Sequence, residues 1–280
     1  MRSAGVLNAR SGRREFAGAL LMVDGGVGCV HPWPELGDAE LGVHLEALRA
    51  GGGTALVERA LECARVDGAA RREGVSLFEG VEMAESHFTC VSEEVVVPDG
   101  FAVVKVKAGR ELGGLEARLA GVGQRVRIDF NGILEKREFD AWGEGIGEGL
   151  RRRIDFVEDP YGFDREGWKD SEAKTGLKLG LDWGGGEWGL RVVKPAVEDV
   201  PLGAERVVVT SAMDHPVGQL WAALVASRLP GEVHGVMTQH LFERDQFVEA
   251  LGVEGARLAR PGGTGLGFDE LLREVPWTRL

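Results

Sequence analysis

The sequence predicts an α/β protein built as a modified (β/α) barrel behind a smaller α+β segment, and three observations carry that prediction. From about Val95 onward, short apolar runs alternate with turn residues and helix-like stretches, which is the pattern of βα units around a parallel sheet. Five of those runs end in an ionisable residue. The first part of the chain has a different rhythm, with strand-like residues at Glu15–Gly28 and a helical stretch at Leu41–Arg72 that Gly51–Gly53 interrupt. The expected division is 1–85 for the α+β segment, 86–255 for the barrel and 256–280 for a C-terminal tail.

The barrel strands are expected at 101–107, 126–131, 154–158, 177–182, 190–194, 206–211 and 233–238. Helices are expected at 111–120, 136–153 and 217–228. The 43 glycines are dispersed among apolar runs and read as turn and cap residues. A chain of 280 residues is long enough to bury a substantial core.

Composition narrows the function. Asp and Glu number 45 against 33 Lys and Arg, a net charge of -12, with no basic stripe to neutralise a phosphate backbone, so nucleic acid is not an expected partner. The three cysteines, Cys29, Cys63 and Cys90, form no C-x-x-C pattern and are expected to be buried, inert thiols. Residues 1–16 are basic but hold no apolar signal core, and no run approaches the roughly 20 apolar residues of a spanning helix. A soluble, cytoplasmic protein is expected; the oligomeric state is left open.

The charged run ends carry the chemistry. They are Lys105 and Lys107, Asp129, Glu158, Asp182 and Lys194. In a (β/α) barrel the C-terminal strand ends converge on one mouth, so these charges should face one cavity. Asp129, Glu158 and Asp182 are 29 and 24 residues apart, each step about the length of a βα unit. Three carboxylates at one mouth suit a hard cation such as Mg²⁺, with Mn²⁺ a second candidate. Any one of them alone would equally suit a solvated turn.

Lys105 and Lys107 lie two apart and therefore share one strand face. Two neighbouring ammoniums in a desolvated cavity should push each other's pKa down, leaving one lysine able to accept a proton. Standing alone, the pair would also fit an exposed edge strand.

The ordered set Lys-x-Lys, Asp-x-Asn, Glu-Asp-Pro, Asp and Lys-Pro resembles the muconate-lactonizing branch of the enolase superfamily, and within it most closely the o-succinylbenzoate synthases. Residues 28–37, with His31-Pro32-Trp33-Pro34, are similar to the capping loop of that family, and the segment from Gly263 to Leu272 is similar to its C-terminal tail. The resemblance implies an enolase-like fold in which residues 1–85 cap the barrel and the tail packs back on the cap. It implies Lys107 as acid/base, Lys194 as the charge that stabilises an enediolate, Lys105 as an electrostatic aid, and Asp129, Glu158 and Asp182 as metal ligands. Ser211 and Thr210, on a segment similar to the family's seventh strand, with Asn131 and His31, are the implied substrate contacts. The expected activity is a dehydration in menaquinone biosynthesis acting on a small-molecule carboxylate.

Two features depart from that family. Only eleven residues separate Asp182 from Lys194, four of them glycine, too few for a barrel helix, and Trp183 follows Asp182 where relatives often carry another carboxylate. An N-acylamino acid racemase or dipeptide epimerase is the alternative within the branch. A Schiff-base aldolase or a non-catalytic barrel lies further off. His31 and His215 also suit capping or packing, and Gly262–Gly267 lacks the lysine of a phosphate loop.

Overall fold

The protein is described here from a computed structural model covering residues 1–8 and 10–280. The chain begins with a hairpin, β1 (Ala19–Val23) and β2 (Gly26–Val30), whose turn is made by Asp24 and Gly25, both at positive φ. Two helices follow, α1 (Leu41–Arg49) and α2 (Ala55–Glu73). Helix α2 starts at Thr54, whose side chain accepts from Val57 N–H, and stops at left-handed Gly74. Its buried residues recur at helical spacing, and that face lies directly on β2. The approach is so close that a Cβ at Gly28 would stand 1.9 Å from the Ala60 carbonyl oxygen. Glycine is what lets the strand and helix backbones touch.

The barrel runs as β3 (Phe88–Cys90), β4 (Val103–Lys107), α3 (Leu112–Ala120), β5 (Arg125–Asp129), α4 (Lys136–Gly145), α5 (Glu148–Arg151), β6 (Ile154–Glu158), α6 (Arg165–Thr175), β7 (Leu179–Gly180), β8 (Leu190–Val193), β9 (Arg206–Val209) and α7 (Pro216–Ala226). Strands β3 to β7 form one parallel sheet, and β8 pairs in parallel with β9. Single parallel bridges carry the ring onward: Leu181 to Arg191, Thr210 to Gly235, and His234 back to Ser86. The segment around Gly235 is thus the eighth staves' worth of backbone, and hydrogen bonds from Gly235 N–H to Val209 and from His87 N–H to His234 join it to both neighbours. Beyond it lie α8 (Gln246–Ala250), the short hairpin β10 (Val253–Glu254) and β11 (Arg257–Leu258), and α9 (Asp269–Glu274).

Strand alternation sorts the side chains. Val104, Val106, Val126 and Ile128 point outward and pack with Leu115, Leu119, Phe139 and Trp168 from the helices. Their odd-numbered neighbours on β4 and β5 point inward, which is why the charged residues converge.

Several expectations need correction. The first barrel strand lies at Phe88–Cys90, ahead of the point where the βα rhythm was expected to start. The helix expected over 136–153 is split, because Ile146 is extended between α4 and α5. The strand expected over 233–238 reduces to single bridges. Helix α6, absent from the sequence reading, is capped by Asp164 and ended by left-handed Gly176. The expected irregularity after Asp182 is present and extends further: neither β7 nor β8 is followed by a helix. Among the described residues no helix is long and apolar enough to cross a membrane.

Candidate active site

The C-terminal ends of β4 to β8 bring all six charged run ends together. Register pairs Lys107 with Asp129 across β4 and β5, and Asp129 with Glu158 across β5 and β6. Lys105 Nζ lies 2.9 Å from Asp129 Oδ2 and 2.5 Å from Glu158 Oε1, while Lys107 Nζ lies 2.5 Å from the same Asp129 oxygen. Lys194 is ion-paired with Asp182 on the far side. In a ring of eight, β4 and β8 are four strands apart, so Lys107 and Lys194 face each other across the cavity.

Electrostatics here departs from the sequence reading. Burial disfavours the Lys105 ammonium, but Asp129 and Glu158 outweigh burial and raise its pKa above the ordinary value. Lys194 is likewise raised, with burial opposed by Asp182 and Glu158. Mutual repulsion between ammoniums is therefore not the dominant influence on Lys105: a carboxylate at hydrogen-bond distance acts more strongly than a second lysine further away. Among the carboxylates, burial works against Asp129, but Lys105 and Lys107 hold it well below the usual range, and Asn131 N–H donates to its Oδ1 at 2.9 Å. Burial and then Asp129 push Glu158 up. Burial and Asp182 push Asp159 up to about 8. Asp159, at φ 40°, accepts from the N–H groups of Asp182 and Trp183 and so ties the end of β6 to the end of β7.

The donor chemistry fits a hard divalent cation. All ligand atoms would be carboxylate oxygens, Asp129 and Glu158 are buried and Asp182 is half-buried, and the Lys105 ammonium already bridges the first two as a cation would. Among the described residues no three such side chains converge on a single point as they stand. Each carboxylate is instead turned onto a lysine.

The cavity between them is about 30 Å³, the room of one water molecule, so a substrate requires the cover to open. Asn131, Thr210 and Ser211 line it. The Thr210 hydroxyl and Asn131 Oδ1 are buried without partners among the described residues, whereas Ser211 Oγ lies 2.7 Å from Thr238 Oγ1. His31 does not reach the cavity. It packs against Phe16 and Trp33, and burial lowers its pKa to about 3. Leu36 lines the cavity instead, held by a cover in which the Trp33 indole N–H donates to Ala212 O at 2.8 Å. His215 is a helix cap whose Nδ1 accepts from Val217 N–H.

Asn8, His87, Thr89 and Thr238 also line the cavity and were missed. The alternation in Ser86-His87-Phe88-Thr89-Cys90 was the available strand signal for two of them. Asn8 carries no local signal; it arrives because the N-terminal segment crosses the mouth, where Arg10 Nε donates to Asn131 O at 2.7 Å. The three cysteines are buried and free, as expected.

Comparisons with known proteins bear on the family and the fold. Residues 1–70 match the family model described as "O-succinylbenzoate synthase, N-terminal domain". An o-succinylbenzoate synthase from Bdellovibrio bacteriovorus is 33% identical over 313 aligned positions, spanning 98% of this chain and 94% of that one. Among solved structures, the L-Ala-D/L-Glu epimerase from Bacillus subtilis superposes with a TM-score of 0.73 at 17% identity, covering 95% of this chain and 94% of that one. A muconate lactonizing enzyme from Pseudomonas fluorescens gives 0.71 at 14% identity, covering 95% and 92%. At such identities these two speak for the fold, a capped barrel of the enolase superfamily. Sequence and fold together place this chain in the o-succinylbenzoate synthase family of the enolase superfamily.

Proposed function

We propose that this protein is a Mg²⁺-dependent o-succinylbenzoate synthase that converts 2-succinyl-6-hydroxy-2,4-cyclohexadiene-1-carboxylate to 2-succinylbenzoate and water in menaquinone biosynthesis, with Mn²⁺ as the second candidate metal. The observation that supports it most is the opposition of Lys107 and Lys194 across a cavity that Asp182 lines, with Asp129 and Glu158 paired to Lys105 and Lys107 at its edge. In this reading those three carboxylates hold the metal, which when bound supplies a Lewis acid that offsets charge gathering on the substrate carboxylate.

The chain's own residues do the rest. Lys107 exchanges Asp129 for the substrate, removes the proton beside the carboxylate and passes it to the departing hydroxyl, so one group serves as base and then acid. Lys105 supports it by charge. Lys194, on the opposite face, supplies fixed positive charge to the enediolate. Asn131, Thr210 and Ser211 hydrogen-bond the substrate's distal oxygens. The division into a cap (1–85), a barrel (86–255) and a returning tail (256–280) belongs to the same reading. Supporting it, Leu266 and Leu272 share a core cluster with Val27 and Cys29, and Asp67 of α2 accepts from Leu266 N–H at 2.6 Å.

Two lysines on opposite faces also suit a two-base epimerisation of N-acylamino acids. A Schiff-base role is disfavoured by the ion pairs that keep Lys105 and Lys194 protonated. The test is turnover of the cyclohexadiene carboxylate by protein stripped with EDTA and reloaded with Mg²⁺. Activity lost on stripping and restored by Mg²⁺ supports the reading; full activity after exhaustive chelation removes it. Faster exchange of the α-proton of N-acylamino acids into D₂O, with no dehydration, would favour the epimerase.

A further inference from the structure

His87 stands apart from the lysine and carboxylate set yet borders the same cavity. Register pairs Thr89 with Lys105, so His87, two residues earlier on the inward side, lies one row deeper toward the barrel floor. Its Nδ1 is 3.0 Å from Arg127 Nη1. A guanidinium only donates, so Nδ1 must accept, and the neutral ring keeps its proton on Nε2.

Arg127 cannot turn away to relax this choice. Its Nε donates to Asp155 at 2.8 Å, Nη2 to Glu232 at 2.8 Å and Nη1 also to Val233 O at 2.6 Å, with the Phe156 ring 4.9 Å from its carbon. Burial, and then Arg127 and Lys105, keep the imidazole uncharged by lowering its pKa well below the ordinary value. The other edge of the ring lies over Gly235, where a Cβ would stand 2.4 Å from Cε1 and 2.5 Å from Nε2. Glycine at 235 is thus the space that admits this ring orientation. Among the described residues, no side chain or carbonyl accepts from Nε2.

We propose that His87, locked by Arg127 with its proton on Nε2, is a substrate-positioning residue that offers a neutral donor at the bottom of the cavity to a carbonyl-type oxygen of the substrate's side arm. The inference rests on the synthase reading for its substrate, but its geometry is independent of the metal and of the lysines' roles. A neutral donor suits this depth, because a cation there would compete with Lys105 for Asp129 and Glu158, whereas an imidazole N–H leaves those pairs intact.

Two substitutions and one spectrum test it. His87→Phe keeps a ring and removes the donor, while His87→Gln keeps an N–H near the Nε2 position. His87→Phe should raise KM and weaken binding of 2-succinylbenzoate, followed by calorimetry, by about tenfold, the loss of one neutral hydrogen bond; His87→Gln should remain within about threefold of wild type. In ¹⁵N-histidine-labelled wild type, long-range proton–nitrogen correlations should show the His87 proton on Nε2 between pH 5.5 and 8.5, and 2-succinylbenzoate should shift that proton's resonance. Equal KM and product affinity for both variants and wild type overturns the inference. So does a proton on Nδ1, or an Nε2–H signal that 2-succinylbenzoate leaves unmoved. If His87→Phe fails to fold, the spectrum and His87→Gln still decide. Absence of dehydration by wild type would instead overturn the synthase reading, leaving the tautomer measurement valid by itself.

Discussion

The barrel encloses two charge networks, one at each end, and they are built from different cations. At the mouth, three lysines meet Asp129, Glu158 and Asp182. At the floor, Arg127 and Arg206 meet Asp155 and Glu232, with the Phe156 ring beneath both guanidinium groups at 4.9 and 5.4 Å. Arginine's planar fork reaches several acceptors at once and stays protonated, so the floor is a fixed lattice: Arg206 alone donates to both Asp155 oxygens and both Glu232 oxygens. Lysine is a compact charge on a flexible stem, which can leave one partner for another. A network that must exchange partners during a reaction is made of lysine, and one that must hold the ring closed is made of arginine.

The largest test of that contrast is removal of one cation from each end. Lys107→Ala is expected to lower turnover by about a hundred- to ten-thousand-fold, the range for losing a general acid-base group, while the thermal midpoint stays near wild type because Lys105 and Asn131 N–H still support Asp129. Lys194→Arg should slow turnover without abolishing it, and Lys194→Ala should slow it further. An active Lys107→Ala variant, measured by product absorbance, would end the assignment of this residue.

At the floor the loss should appear in stability. Arg127→Leu leaves half-buried Asp155 and Glu232 with one cation fewer and should cost about 3 to 5 kcal/mol in urea unfolding, two lost hydrogen bonds to charged groups at ~1.5 to 3 kcal/mol each. If Arg127→Leu unfolds like wild type and only loses activity, the distinction between a structural floor and a reactive mouth fails.

A buried carboxylate outside both networks pairs with no cation among the described residues and shows what pairing is worth. Asp214, after β9, is fully buried, no well-formed hydrogen bond reaches its oxygens among the described residues, and burial, opposed only weakly by the backbone N–H groups of Asp214 and Ala212, raises its pKa to about 7. Its folded value lies above the ordinary 3.8, so its contribution to stability is full below about pH 4 and is lost as pH rises through 7. Asp214→Asn should therefore flatten the fall in stability between pH 4 and 8 and raise stability at pH 8, by up to about 4 kcal/mol at the usual ~1.4 kcal/mol per pH unit. Parallel pH profiles for variant and wild type in denaturant titrations would show that Asp214 finds a partner in solution.

The smallest effect concerns the cover, which only the mouth has. Trp33→Phe removes the hydrogen bond to Ala212 O and should ease opening by about 1 kcal/mol. Cleavage near residue 31 by a protease should quicken in the variant and slow when 2-succinylbenzoate and Mg²⁺ are both added. Cleavage rates indifferent to ligand would deny His31–Pro34 a role as a lid.

The mouth was legible in the sequence because each of its charges ends an apolar strand, an arrangement that is costly unless the charges meet. The floor was not. Arg127 lies in mid-strand, Asp155 and Arg206 lie near strand starts and Glu232 lies in a loop, where charged residues are ordinarily solvated. His87 was hidden for a related reason: β3 is three residues long, and its pairing partner at residues 234–235 has no strand pattern of its own.

By itself, the sequence determined which side chains share a face, because alternation along a strand is a local property of the backbone: it put Lys105 with Lys107, and Asp129, Glu158, Asp182 and Lys194 at successive strand ends. It also determined the missing helix after Asp182, since eleven residues rich in glycine cannot build one. Only the tertiary structure decided partners and protonation. Lys105 rests on two carboxylates instead of being repelled by Lys107, Leu36 takes the place at the cavity that His31 was expected to fill, and Arg127 selects the tautomer of His87. These depend on distances of a few ångströms between strands far apart in the chain, and Coulomb and hydrogen-bond energies change more over that distance than any residue pattern can record.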